Sequence, residues 1–170
     1  MTRRDQFRKW FVYALGLLPL WVLDAYILPR YPLFGVTPML LALAVAAVAV
    51  LEGTFAGAGF GLAVGLLWET AYPGGFGGLV IGLAVAGMLM GTASQYVLSQ
   101  SFPGFLVCAA GLLTVLDGLR LLRGLFTNAA APAALLTVAV PECLLTLAWS
   151  PVVWLVFRWV FDRVGGSKLA

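Results

Sequence analysis

Between Val36 and Trp68 the chain runs almost without charge, and four glycines, Gly53, Gly57, Gly61 and Gly65, recur in it every four residues. A four-residue step on an α-helix returns to nearly the same face, so these positions form one side-chain-free ridge about 18 Å long. In water each glycine would weaken such a helix by about 1 kcal/mol relative to alanine. In lipid the ridge is useful, because small residues let a neighbouring helix backbone come close. Gly87 and Gly91 repeat the spacing in the next apolar segment. The pattern predicts an all-α, polytopic membrane protein: one domain, a packed bundle of helices.

Composition agrees, with 62% hydrophobic and 10% charged residues, against about 45–50% and about 25% in soluble domains. The net charge of +3 comes from basic residues gathered at the two termini. That placement suits topology determinants and contacts with anionic headgroups, not a nucleic-acid face. The first apolar segment is too long for a cleavable signal and lacks a small-residue cleavage site, so it reads as a retained span. Histidine is absent, which argues against a transition-metal site or a His proton relay. Cys108 and Cys143 fall in apolar segments and read as small buried residues, not as a disulfide. No cofactor is expected.

A span needs about 20 apolar residues. The first is Trp10–Leu28, broken only by Asp24 and closed by Pro29, Arg30 and Pro32. The run Val36–Tyr72 would be about 55 Å long as one helix, nearly twice the hydrocarbon thickness. It must fold back, and Glu52-Gly53 is the natural turn. Spans two and three are therefore Val36–Leu51, with Pro38 in its first turn, and Thr54–Tyr72. The glycine-rich loop Pro73–Gly78 leads to span four, Leu79–Leu98. Span five is Gly104–Leu119, and span six is Glu142–Phe161, bent at Pro151. Ala129–Val140 is apolar but too short to cross. It reads as an interfacial or re-entrant piece, or as an extension of span six.

Arg3, Arg4, Arg8 and Lys9 precede the first span, while Arg158, Arg163 and Lys168 end or follow the last. Positive residues favour the cytoplasm, so both termini belong there, and six crossings satisfy that parity. Arg120 and Arg123 then lie outside, against the rule, and need local pairing or headgroups.

Ionisable groups at membrane depth cost about 2.5–3.5 kcal/mol each at a helix centre. Asp24, Glu52, Glu69, Asp117 and Glu142 are the acidic ones. Glu52 reads as a solvated turn residue on the inner side. Glu69, one turn from the outer end of the glycine-ridged helix, is either an interfacial carboxylate or a partner-orienting group. Asp117 and Arg120, three apart on one helix face, suit an internal ion pair. The run Asp117-Gly118-Leu119-Arg120 faintly resembles the start of the metal motif of membrane CDP-alcohol phosphotransferases. The later aspartates are missing, so two divalent ions could not be held. With no serine–base pair either, an enzyme is not expected.

The order of these features resembles the MreD family, the small polytopic proteins of the bacterial rod-shape (elongation) machinery. The resemblance covers about Trp10–Arg163. It rests on Thr37-Pro38-Met39-Leu40-Leu41, the glycine ridge, and Gly65-Leu66-Leu67-Trp68-Glu69 before the loop Pro73–Gly78. It rests also on Asp117 late in span five and on Pro151 in a last helix that ends in a basic tail from Arg158. The family more often has aspartate at Glu69 and often a basic residue near Glu52, so the chain departs there.

What the resemblance implies is a fold like the substrate-binding subunits of energy-coupling-factor vitamin transporters. It also implies a non-catalytic scaffold in the bacterial cytoplasmic membrane that serves cell-wall elongation. Its expected partners are MreC and, directly or indirectly, MreB filaments and the glycosyltransferase–transpeptidase pair that builds peptidoglycan. The alternative is a substrate-binding subunit of a vitamin transporter. The oligomeric state stays open, a homodimer included. The ridge would serve either the protein's own bundle or a partner's single helix, and Tyr72 and Phe76 in the outer loop are further partner candidates.

Overall fold

The computed structural model describes residues 3–31, 35–71, 78–96, 100–127 and 132–164. Among them are six α-helices: α1 Arg3–Val22, α2 Leu40–Glu52, α3 Thr54–Ala71, α4 Gly78–Tyr96, α5 Phe102–Thr127 and α6 Pro132–Val164. A π-helical turn, Leu23–Ile27, and a short 3-10 turn, Leu28–Arg30, continue α1. Four stretches are long and apolar enough to cross a membrane: Phe7–Arg30, Gly78–Tyr96, Phe102–Leu122 and Thr137–Val164.

The bundle is organised around its shortest helix. α2 has only 13 residues, about 20 Å at 1.5 Å per residue, and is therefore shorter than the hydrocarbon layer. Every side chain from Leu40 to Val50 is fully buried. α2 meets α1, α3, α4, α5 and α6 in turn. A helix that is apolar all round belongs inside other helices, and α2 with its run of Ala, Val and Leu is such a helix. Its small residues matter too: Ala49 sits directly under Gly57 of α3.

Pro38 does not enter the first turn of α2 as expected; it precedes the helix, in a non-helical segment from Thr37 to Met39. The turn at Glu52-Gly53 forms where the sequence placed it. Gly53 has φ +89° there, a conformation that side chains with a Cβ rarely adopt. Gly53 therefore belongs to the turn, outside the helical ridge.

The last two helices overrun their expected limits. Residues 132–140 are the first turns of α6, continuous with it through Pro141, in place of a separate interfacial or re-entrant piece. Pro141 and Pro151 both lie inside this single helix of 33 residues. α5 likewise continues beyond Leu119 to Thr127.

Candidate functional site

The ridge glycines face α4. A Cβ on Gly57 would lie 2.5 Å from the Gly87 carbonyl oxygen, and one on Gly61 would overlap the Leu83 carbonyl. One on Gly65 would lie 2.6 Å from Val80 Cα, and Gly91 of α4 packs just as closely on Thr54. The pairs 57–87, 61–83 and 65–80 run in opposite directions, so α3 and α4 are antiparallel with backbone against backbone. Close approach of this kind supplies the dispersion contacts that hold helices together in lipid. Gly57, Gly61 and Gly65 are thus engaged within the chain.

The charged and polar groups collect at the two ends of the bundle. At the end that carries the termini, Lys9 of α1 pairs with Glu52, and the Tyr13 hydroxyl donates to Glu52 Oε1 at 2.7 Å. Glu52 is therefore no solvated turn residue: its side chain is 5% exposed and is answered from α1. A carboxylate at the C-terminus of a helix opposes the helix dipole, and the Lys9 ammonium offsets this. Gln100 Nε2 donates to the Leu51 carbonyl at 3.0 Å, satisfying one of the last acceptors of α2. Tyr13 also stacks on Phe157 of α6 and meets the edge of Phe60 of α3. One residue thus ties four elements together.

Removing one member of a buried ion pair leaves its partner uncompensated, at a cost of about 3–5 kcal/mol. Lys9→Met and Glu52→Gln should each lower the thermal unfolding midpoint of the detergent-purified protein. The double variant should be less destabilised than the sum of the two, because neither charge is then left alone. Additive losses would show that the two residues act separately.

At the opposite end the site is built from five elements. The π turn after α1 carries Asp24, which is 4% exposed, and its Oδ1 accepts from the Leu40 amide at 2.9 Å. The Thr146 hydroxyl of α6 accepts from the Met39 amide at 3.0 Å and donates to the Glu142 carbonyl at 2.6 Å. α2 has no local capping side chain, so its first donors are met by residues remote in sequence. π turns insert an extra residue into a helix and commonly mark functional positions. This one carries Asp24 into the cap of α2.

Next to this cap lies a charge network. Arg120 Nη1 of α5 donates to both oxygens of Glu142 on α6, at 3.1 and 3.0 Å. The expected Asp117–Arg120 pair is present but longer, at 3.6 Å. Arg120 is thus held across the α5–α6 interface first and along its own helix second. Cys143 Sγ donates to Asp117 Oδ2 at 2.9 Å. Asp117 is 7% exposed, and its Oδ1 accepts no hydrogen bond among the described residues. Asp24, Thr37, Pro38, Met39, Trp68, Arg120 and Glu142 line a cavity of about 270 Å³ at this end.

Of the residues singled out in the sequence, the structure brings Asp117 and Arg120 to this site. Glu69 follows Trp68 in α3, with a buried Oε1 that has no hydrogen-bond partner among the described residues. Tyr72 and Phe76 lie outside the described residues. Asp24 and Glu142 were visible in the sequence as membrane-depth carboxylates, but nothing local announced that they would share a cavity. No family model, no curated protein and no solved structure matches the chain.

Proposed function

We propose that the chain is a non-catalytic scaffold of the bacterial cytoplasmic membrane, working as the MreD family does in the rod-shape machinery. In this reading it crosses the membrane six times, with the extended segment before α2 completing that short crossing, and both termini are cytoplasmic. It binds MreC and, through it or directly, connects MreB filaments to the glycosyltransferase–transpeptidase pair of wall elongation. The observation that carries the reading is the filled interior, since the wholly buried α2 occupies the centre of the bundle. A body packed in this way offers partners its ends and its outer faces.

The cavity of about 270 Å³ favours a second reading, a substrate-binding subunit of a vitamin transporter. Native mass spectrometry of the tagged protein, purified after co-expression with MreC, separates the two. The scaffold reading expects an MreC complex with no stoichiometric vitamin. A stoichiometric vitamin without MreC would reverse the choice.

A further inference from the structure

We propose that the exposed face of α6, at the end of the bundle that carries the termini, is a binding site for an anionic phospholipid. The first support is a strip ordered as a lipid is ordered. Val152, Leu155, Trp159 and Arg163 follow one another at steps of three and four residues, which keeps them on one helix face. All four are exposed, Trp159 by 57%. Aliphatic side chains, then an indole, then a guanidinium lie in turn toward the helix end. That is the order of acyl chain, interface and headgroup in one leaflet.

The second support is how the guanidinium groups are held. That of Arg163 sits 4.4 Å over the Trp159 ring, and that of Arg158, which flanks the strip, lies 6.0 Å from the Trp154 ring centre. A ring takes the face of a guanidinium and leaves its N–H edge free to donate to a phosphate. Among the described residues neither arginine forms an ion pair, with Asp162 or with any other carboxylate.

The third support is charge complementarity. Tyr13 of α1 stacks on Phe157, so the start of α1 and the end of α6 share this end of the bundle. With the end of α2 they carry Arg3, Arg4, Arg8, Lys9, Arg158 and Arg163 against Asp5, Glu52 and Asp162. The chain beyond Val164 adds Lys168 and no acidic side chain. The other end carries Arg30, Arg120 and Arg123 against Asp24, Glu69, Asp117 and Glu142, so the positive excess belongs to this end alone. Such an excess attracts anionic lipid. The apolar strip beneath the arginines selects a lipid over a free phosphate, which has nothing to place there.

Native mass spectrometry of the purified full-length protein, offered phosphatidylglycerol and phosphatidylcholine in equal amounts, tests the site. Preferential retention of phosphatidylglycerol is expected. Arg158→Gln and Arg163→Gln should each cut that preference about fivefold, the factor that one basic residue near an anionic leaflet contributes. Trp159→Leu keeps an apolar surface but removes the ring under Arg163, and should weaken retention as well. Both arginines are exposed, so the unfolding midpoint should stay within a few degrees. Arg30→Gln removes the same charge from the other end and should change nothing. Equal retention of the two lipids overturns the proposal. So does a preference untouched in the double Arg158→Gln, Arg163→Gln variant, or one lowered as much by Arg30→Gln, which would make it a matter of net charge. Displacement of phosphatidylglycerol by an equal concentration of glycerol phosphate would assign the patch to a soluble anion and overturn it too. Lipid retention is read on the isolated protein, so its failure and the failure of the scaffold reading, tested by MreC binding, are distinguishable.

Discussion

Leucine at Gly61 should strip the protein from the membrane fraction, whereas leucine at Gly59, two residues away, should leave its amount unchanged. A Cβ on Gly61 overlaps the backbone carbonyl of Leu83, and no rotamer can move a side chain out of that clash. A Cβ on Gly59 meets nothing within 4 Å. Overpacking a fitted core costs about 1–3 kcal/mol even when side chains can adjust. Here the obstacle is backbone, so α3 and α4 must part along their length. Gly87→Ala should act like Gly61→Leu, because its Cβ overlaps the Gly57 carbonyl in the reciprocal direction. Immunoblots of membrane fractions, with fluorescence-detected size exclusion, read the outcome. A Gly61→Leu protein that accumulates normally but loses MreC would hand the ridge to a partner helix. Normal accumulation with normal MreC binding would remove the ridge from both roles.

Asp24→Ala carries the next largest expected effect. It leaves the Leu40 amide, at the buried start of α2, without its acceptor. An unmet buried donor costs about 1–3 kcal/mol. For a chain of this size that corresponds to a fall of about 5 °C in the unfolding midpoint. Asp24→Asn keeps an oxygen at the same place and should recover most of the loss. If alanine and asparagine destabilise equally, charge matters more than the cap. If neither does, the amide finds another acceptor and the cap is dispensable.

The sequence revealed the features that depend on local pattern. The ridge spacing shows that Gly57, Gly61 and Gly65 share a face, and an apolar run of that length has to fold back at Glu52-Gly53. Pairing across helices was harder to read. Pro38 marks a helix start close to Met39 and Leu40, but nothing local shows that the cap comes from Asp24 and Thr146, the latter more than a hundred residues away. Glu52 looks solvated until Lys9 and Tyr13 are brought to it from α1. Arg120 looked misplaced by the positive-inside rule, and Glu142 from α6 answers it. The sequence left Ala129–Val140 open between a separate piece and an extension of span six, and α6 takes the extension from Pro132 onward. Pro141 is a strong local stop signal, but a proline within a long helix can be carried when neighbouring groups meet the freed carbonyl.

The two-ended arrangement, with termini on one side and the charged cavity on the other, is tested most directly by side-specific cysteine labelling. Arg8→Cys, Gln95→Cys and Gly78→Cys would be made singly in a Cys108→Ala, Cys143→Ala background. All three native positions are solvent-accessible in the bundle, at the start of α1, the end of α4 and the start of α4. A membrane-impermeant maleimide applied to intact cells should label position 78 alone. Applied to inverted membrane vesicles, it should label positions 8 and 95 and spare 78. Labelling of positions 8 and 78 from the same side would contradict the six-crossing arrangement and leave the cavity on the side of the termini.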